Sequence, residues 1–233
     1  MSRQEELAAN LAAVKQRIAS AYTEVGRSPD EVTLVVVTKF FPASDVRLLA
    51  DLGVTDVGEN RHQEAEAKVA ECADLSVRWH FIGGLQSNKA AAVAAYSNVV
   101  ESVDRPKVVA GLDRGAHGRA DPLDCLVQVS LDPPEQHAGR SGVLPESVSS
   151  LADELARAGM LRLRGLMAVA PPGEDPRSAF ERLAGIRERL LLDHPDATWL
   201  SAGMSGDLEA AISHGATHVR VGSAVLGSRP RFK

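Results

Sequence analysis

The feature that most constrains this chain is a strict alternation between short apolar runs and segments of helical periodicity. The run Leu34 to Val37 is too short and too β-branched for a helix interior, and Pro42 stops it, so it reads as a buried strand of a parallel sheet. Equivalent runs predict strands at 32–38, 56–58, 78–82, 98–102, 123–129, 162–167, 198–200 and 218–221. The intervening patterns predict helices over 43–52, 60–73, 87–95, 104–116, 145–157, 176–192, 206–213 and 223–226, with Ser44, Asn60 and Asp104 as expected caps. A further helix over 3–25 precedes them, its Leu7, Leu11, Val14, Ile18 and Val25 spaced for one apolar face. Eight alternations predict a closed parallel (β/α)8 TIM barrel, class α/β, with an added N-terminal helix packed on it, residues 1–233 forming a single domain. The alternative is an open doubly wound sheet, but the Gly-rich turn expected after its first strand is missing.

Composition narrows the partners. A net charge of -5 gives no global electrostatic case for nucleic acid or an anionic membrane. The two cysteines, Cys72 and Cys125, have no metal-ligand spacing and read as reduced packing residues. Residues 1–10 carry Glu5 and Glu6 without a long apolar run, and no stretch approaches the roughly 18 to 20 apolar residues of a membrane span. A soluble, cytoplasmic monomer is expected.

In such a barrel, chemistry collects at the C-terminal ends of the strands. Strand parity puts Lys39 on the face of Val35 and Val37, where it is either an ion-paired lysine leaving the core or a reactive amine able to form a Schiff base. The loops at strands seven and eight, Leu200 to Asp207 and Arg220 to Ala224, offer backbone N–H groups and the hydroxyls of Ser205 and Ser223, a plausible phosphate cup. Ordinary helix capping is the plainer account of each loop. Arg220 shares an inward face with His218 and Gly222; it would be a structural ion pair or the group that meets a cofactor ring, and His218 would be a barrel-floor residue. Asn60 would be a helix cap or a ligand contact. On strand three, Trp79 is expected in the core and His80, with Asn88 and Lys89 beyond it, at the pocket rim. Met167 would pack on a planar ring or fill core volume. The connection Asp132 to Gly142 is the longest, as functional loops often are.

Six ordered motifs then carry a family resemblance: the strand-one lysine before Pro42-Ala43-Ser44, Gly58-Glu59-Asn60 with Gln63-Glu64, Trp79 to Gly83 followed by Leu85 to Lys89, Gly165-Leu166-Met167, Gly203-Met204-Ser205 and Val219 to Ser223. Together they resemble the YggS/PROSC family of pyridoxal 5′-phosphate (PLP) homeostasis proteins, from about residue 3 to residue 229. The resemblance implies a barrel like the N-terminal, fold-type III barrel of alanine racemase. It also implies PLP as cofactor, held as a Schiff base on Lys39, with Ser205, Gly222 and Ser223 on its phosphate, Arg220 facing its pyridine nitrogen and Asn60 and Met167 near the ring. Phe40-Phe41, Arg61-His62, Ala202 and Ser223 depart from the residues usual in that family.

The implied role is storage, buffering or delivery of PLP, possible recipients being PLP-dependent apo-enzymes, with little or no turnover. An arginine at the pyridine nitrogen leaves the ring a poor electron sink, since PLP enzymes that need one place a carboxylate there. The two tyrosines, Tyr22 and Tyr96, both fall on helices away from the strand ends, where a second catalytic base would be needed. The alternatives are a weak PLP-dependent amino-acid racemase, a Schiff-base aldolase of a sugar phosphate, or a regulatory module using the Arg61-His62 or 132–142 loops.

Overall fold

The computed structural model describes residues 1–133 and 141–228. Eight parallel strands close into one ring: β1 (Thr33–Val37), β2 (Asp56–Glu59), β3 (Arg78–Phe81), β4 (Val99–Val103), β5 (Leu123–Gln128), β6 (Leu161–Met167), β7 (Trp199–Ser201) and β8 (His218–Val221). Pairing of β1 with β8, from Thr33 opposite His218 to Val36 opposite Val221, makes the closure that distinguishes a barrel from the open alternative. Around it lie α1 (Arg3–Glu24), α2 (Ala43–Asp51), α3 (His62–Glu71), α4 (Ala90–Tyr96), α5 (Pro106–Ala116), α6 (Val148–Arg157), α7 (Pro176–Asp193), α8 (Leu208–Ser213) and α9 (Ser223–Leu226).

Parallel strands are covered by helices on their outer face, so alternate residues are apolar and pack outward. Val36, Val57, Trp79, Val219 and Val221 meet the helices on one side of the ring, and Phe81, Val100, Cys125 and Leu163 meet those on the other. Inside the ring the apolar filling is small: Val99, Leu126 and Met167 form its cluster. Val35 and Val37 also face inward, and the rest of the interior carries buried polar and charged side chains, among them His80, Glu101, Ser201 and Arg220.

Helix α1 starts at a capping box between Ser2 and Glu5 and buries Leu7, Leu11, Val14, Ile18 and Ala21. It lies on α8 and α9, where Arg17 pairs with Glu209, the Asn10 amide donates to the Val225 carbonyl and Arg3 donates to the Leu226 carbonyl.

The strand spans agree with the pattern reading to within a residue and most helix spans to within two, while α4 and α6 start three residues later, behind the 3-10 turns Ser87–Lys89 and Pro145–Ser147; the caps also differ. Pro42, not Ser44, stands before α2, and Ser44 lies inside the helix. Arg61 precedes α3, so Asn60 is not its cap. Arg105 precedes α5 because Pro106, which has no N–H to satisfy, sets the first turn, while Asp104 turns to the Arg105 guanidinium. Within the 132–142 loop, residues 134–140 lie outside the described residues.

Candidate functional site

The C-terminal ends of β1 and β8 open a cavity of about 200 Å³ lined by Lys39, Arg220, Gly222, Ser223 and Met204, with Val37, Phe40, Phe41, Ile82 and Gly227 supplying apolar walls. Lys39 is half-buried and follows Val37 onto the pocket side, as strand parity predicts.

The turn that carries Lys39 is clamped from β2 and α3. The Thr38 hydroxyl donates to Glu59 Oε1 at 2.6 Å, and Lys68 Nζ donates to the Thr38 carbonyl at 2.9 Å. Lys68 also pairs with Glu59, and the Phe40 N–H donates to Glu64 Oε1. Phe40 has φ +70°, a left-handed conformation that L residues with a Cβ adopt at a cost, so this clamp holds a strained turn in place. The Arg61 guanidinium lies 5.0 Å from the centre of the Phe40 ring, and the Arg3 guanidinium 5.6 Å from that of Phe41. Burial raises the Glu59 carboxyl above its usual range, although Lys68 and Thr38 oppose it.

The loop after β7 approaches the start of α9: Ser205 Oγ lies 3.4 Å from Ser223 Oγ and accepts from the Ala224 N–H at the same distance. Gly203 makes the approach possible, since at φ +89° a Cβ there would stand 2.6 Å from the Ala211 methyl. Two hydroxyls and the backbone of Gly222 to Ala224 thus form one polar rim beside the cavity.

Arg220 is 4% exposed and inward-facing. Its Nη1 donates to Ser201 Oγ at 2.6 Å, its Nη2 to the Ala168 carbonyl at 2.8 Å, and Glu101 Oε2 stands 3.7 Å away. Burial lowers the pKa of this guanidinium from its ordinary value, with Glu101 opposing. His218 lies deeper, its ring 4.4 Å from that of Trp199, and burial pushes its pKa down to about 4, so it is a neutral floor residue as expected.

Other expectations divide. Trp79 packs in the core, as expected. His80 does not reach the pocket rim: inward parity on β3 carries it into the barrel interior, where it is 1% exposed between Asp56 and Glu101. Met167 is 1% exposed against Val99 and Leu126, filling core volume. Asn60 lies beside the end of β2 with its side-chain oxygen buried and without a hydrogen-bond partner. Neither Asn60 nor Met167 is among the residues lining the Lys39 cavity. Thr38, Lys68 and Glu101 were not anticipated, and Glu59 and Glu64 stood out only as members of the motif after strand two, without a role. Glu101 had a signal, a lone acid in the apolar run Val99 to Val103; the clamp as a unit had none, because its members come together only across the barrel rim.

The residues present suit a small phosphorylated ring that carries a carbonyl. An amine and a cation face one cavity with apolar walls, a hydroxyl and N–H rim lies beside it, and an orphaned buried acceptor, Asn60 Oδ1, sits at the adjoining strand end.

Comparison with known proteins gives the same direction. Residues 6–230 match the family described as alanine racemase, N-terminal domain. The chain is 42% identical, over 97% of its length and 93% of the relative's, to the pyridoxal phosphate homeostasis protein of Mycobacterium leprae. PipY of Synechococcus elongatus, solved with PLP bound, is 33% identical with a TM-score of 0.79 and covers 92% of this chain and 100% of its own. Alanine racemase from Corynebacterium glutamicum shares the fold at 16% identity, with a TM-score of 0.68 over 97% of this chain and 61% of its own.

Proposed function

The chain belongs to the family of pyridoxal phosphate homeostasis proteins, and from that premise we propose that it holds PLP covalently at Lys39 and stores, buffers or delivers it, with little or no turnover. The observation that carries the reading is the pairing of Lys39 and Arg220 in one cavity beside a serine-lined rim. When bound, PLP supplies an aldehyde that condenses with a primary amine and a pyridine ring whose electron-withdrawing power depends on protonation of its nitrogen.

Lys39 supplies the amine, and the Thr38–Glu59–Lys68 clamp fixes the direction from which it approaches. Ser205, Ser223 and the backbone of Gly222 receive the phosphate. Val37, Phe41 and Ile82 exclude water from the ring faces. Asn60, whose Oδ1 is an unsatisfied acceptor beside the end of β2, would reach the ring from there, whereas Met167, packed against Val99 and Leu126, would act on the ring only through that packing. Arg220 faces the ring nitrogen; a guanidinium only donates hydrogen bonds, so it leaves that nitrogen unprotonated and the ring a weak electron sink. This favours a carrier over a racemase. So does the placement of Tyr96, whose hydroxyl turns to His62 at 3.4 Å, and of Tyr22, which lines a cleft with Val54 and Thr55 at the opposite ends of the strands.

The whole chain is read as one domain acting as a cytoplasmic monomer that hands PLP to apo-enzymes. Among the described residues, no helix is long and apolar enough to cross a membrane.

The test is the visible spectrum of the purified protein with added PLP, before and after borohydride, with peptide mapping of the adduct. A band fixed by reduction onto Lys39 is the expected result, together with absent solvent-deuterium uptake at the Cα of added amino acids. No band, or an adduct on another lysine, rejects the site; deuterium uptake rejects the carrier in favour of a racemase.

A further inference from the structure

Four buried charged groups form a line through the barrel interior. Asp56 Oδ1 lies 2.9 Å from His80 Nε2, and His80 Nδ1 lies 2.7 Å from Glu101 Oε1. The other oxygen of Glu101 accepts from the Ser201 hydroxyl at 2.6 Å, the same hydroxyl that accepts from Arg220. Exposures are 4% for Asp56, 1% for His80, 0% for Glu101 and 4% for Arg220. An imidazole with a carboxylate on each nitrogen must donate from both, so His80 is an imidazolium. Charges therefore alternate along the line: Asp56 negative, His80 positive, Glu101 negative, Arg220 positive.

Resting on the PLP reading of the pocket, we propose that Glu101, oriented by His80, is the residue that positions Arg220 toward the ring nitrogen. Buried ions hold only when paired and hydrogen-bonded, and Glu101 satisfies this from both sides. Ser201 is fixed as a relay because its single proton goes to Glu101, leaving its lone pair for Arg220. The Ala168 carbonyl then sets the roll of the guanidinium plane about that axis. No other acid stands within ion-pairing distance of Arg220 among the described residues.

The groups facing His80 are Asp56 on β2, Glu101 on β4, the neutral His218 on β8 with its ring 6.2 Å away, and the Arg78 side chain, 3.7 Å from Asp56 at the strand's own start. Burial opposes the charge on His80, but its bonds to Asp56 and Glu101 outweigh it and raise the pKa. Glu101 is held well below the carboxylate range, its burial outweighed by His80, Arg220 and Ser201. Both directions agree with the geometry.

The test uses the full chain with and without PLP. In ligand-free protein, nitrogen NMR should show His80 protonated on both ring nitrogens at neutral pH and slowly exchanging Arg220 Nη protons. Glu101→Gln keeps the shape and removes the charge; it should release the Arg220 protons to fast exchange and lower the pH at which His80 titrates. With PLP, Glu101→Gln should still give the Lys39 adduct, with affinity about tenfold weaker, a displaced absorption maximum and a shifted pH profile of the band. Glu101→Asp should restore part of each change. Should Glu101→Gln fold poorly, Ser201→Ala removes only the relay and should show the same changes in smaller measure. A wild-type His80 protonated on one nitrogen overturns the inference. So does a folded Glu101→Gln protein that melts earlier but keeps wild-type Arg220 exchange and an unmoved band. If wild-type protein gives no Lys39 adduct, the PLP reading fails, and the NMR of the ligand-free protein still decides whether Glu101 positions Arg220.

Discussion

His80 and His218 lie one ring apart in the same interior yet titrate in opposite directions, because only His80 has carboxylates on its nitrogens. For His218, burial holds the folded pKa at about 4 against about 6.5 in the unfolded chain. Between those values the unfolded state binds a proton that the folded state refuses, so stability falls as pH drops through that window, by up to about 3 kcal/mol. His80 is the reverse case: its folded pKa is raised, so its contribution is complete below about 6.5 and is lost as pH rises through the folded value. Urea denaturation at pH 4.5 and 7 should therefore show a smaller acid loss for His218→Gln than for wild type, whereas an unchanged loss would place the proton uptake elsewhere. At this scale the sequence spoke unevenly. Lys39 and Arg220 were legible because each is a charged residue on the inward parity of an apolar strand. His80 has that parity too, but its partners, Asp56 and Glu101, come from neighbouring strands, and only their spatial meeting moves it from rim to interior.

Among the elements, β6 and the turn after β1 depend on unusual backbone. At φ +148°, Gly165 lets β6 shift register against β5, and a Cβ there would stand 1.9 Å from the Trp199 carbonyl oxygen. Gly165→Ala should cost more than about 3 kcal/mol or prevent folding, because the clash is with backbone that cannot swing aside. Gly185→Ala, within α7 and with nothing near its Cβ position, should be neutral or stabilise by about 0.5–1 kcal/mol. Thermal denaturation of the pair separates a local clash from a general intolerance of alanine. In the Lys39 turn, Glu64→Ala removes the acceptor of the Phe40 N–H. Faster amide exchange over residues 38–41 and slower capture of PLP should follow, with global stability lowered by only about 1–2 kcal/mol. Alternation of apolar runs made the strands readable to within a residue and most helices to within two, α4 and α6 starting three residues later because a 3-10 turn precedes each. Cap identities were not, because Pro42 and Pro106 fixed the helix starts before any side-chain cap could compete.

For the whole molecule, only Met1, Val25, Leu192 and Met204 remain as exposed large apolar side chains among the described residues. Sedimentation should accordingly report a monomer, and a dimer at micromolar concentration would redirect attention to surfaces not identified by apolar area. The ring of eight strands was legible because each strand-helix unit announces itself locally; the interior charge line was not, since it belongs to no single unit. Closure between β1 and β8, braced by α1 against α9, has a consequence for biosynthesis. Lys39 leaves the ribosome well before Arg220, Gly222 and Ser223, so a nascent chain carries the amine long before it has the rim. On the proposed reading ligand capture waits for the finished ring, and PLP, by mass action on that ring alone, would stabilise chains that have closed it over chains that have not.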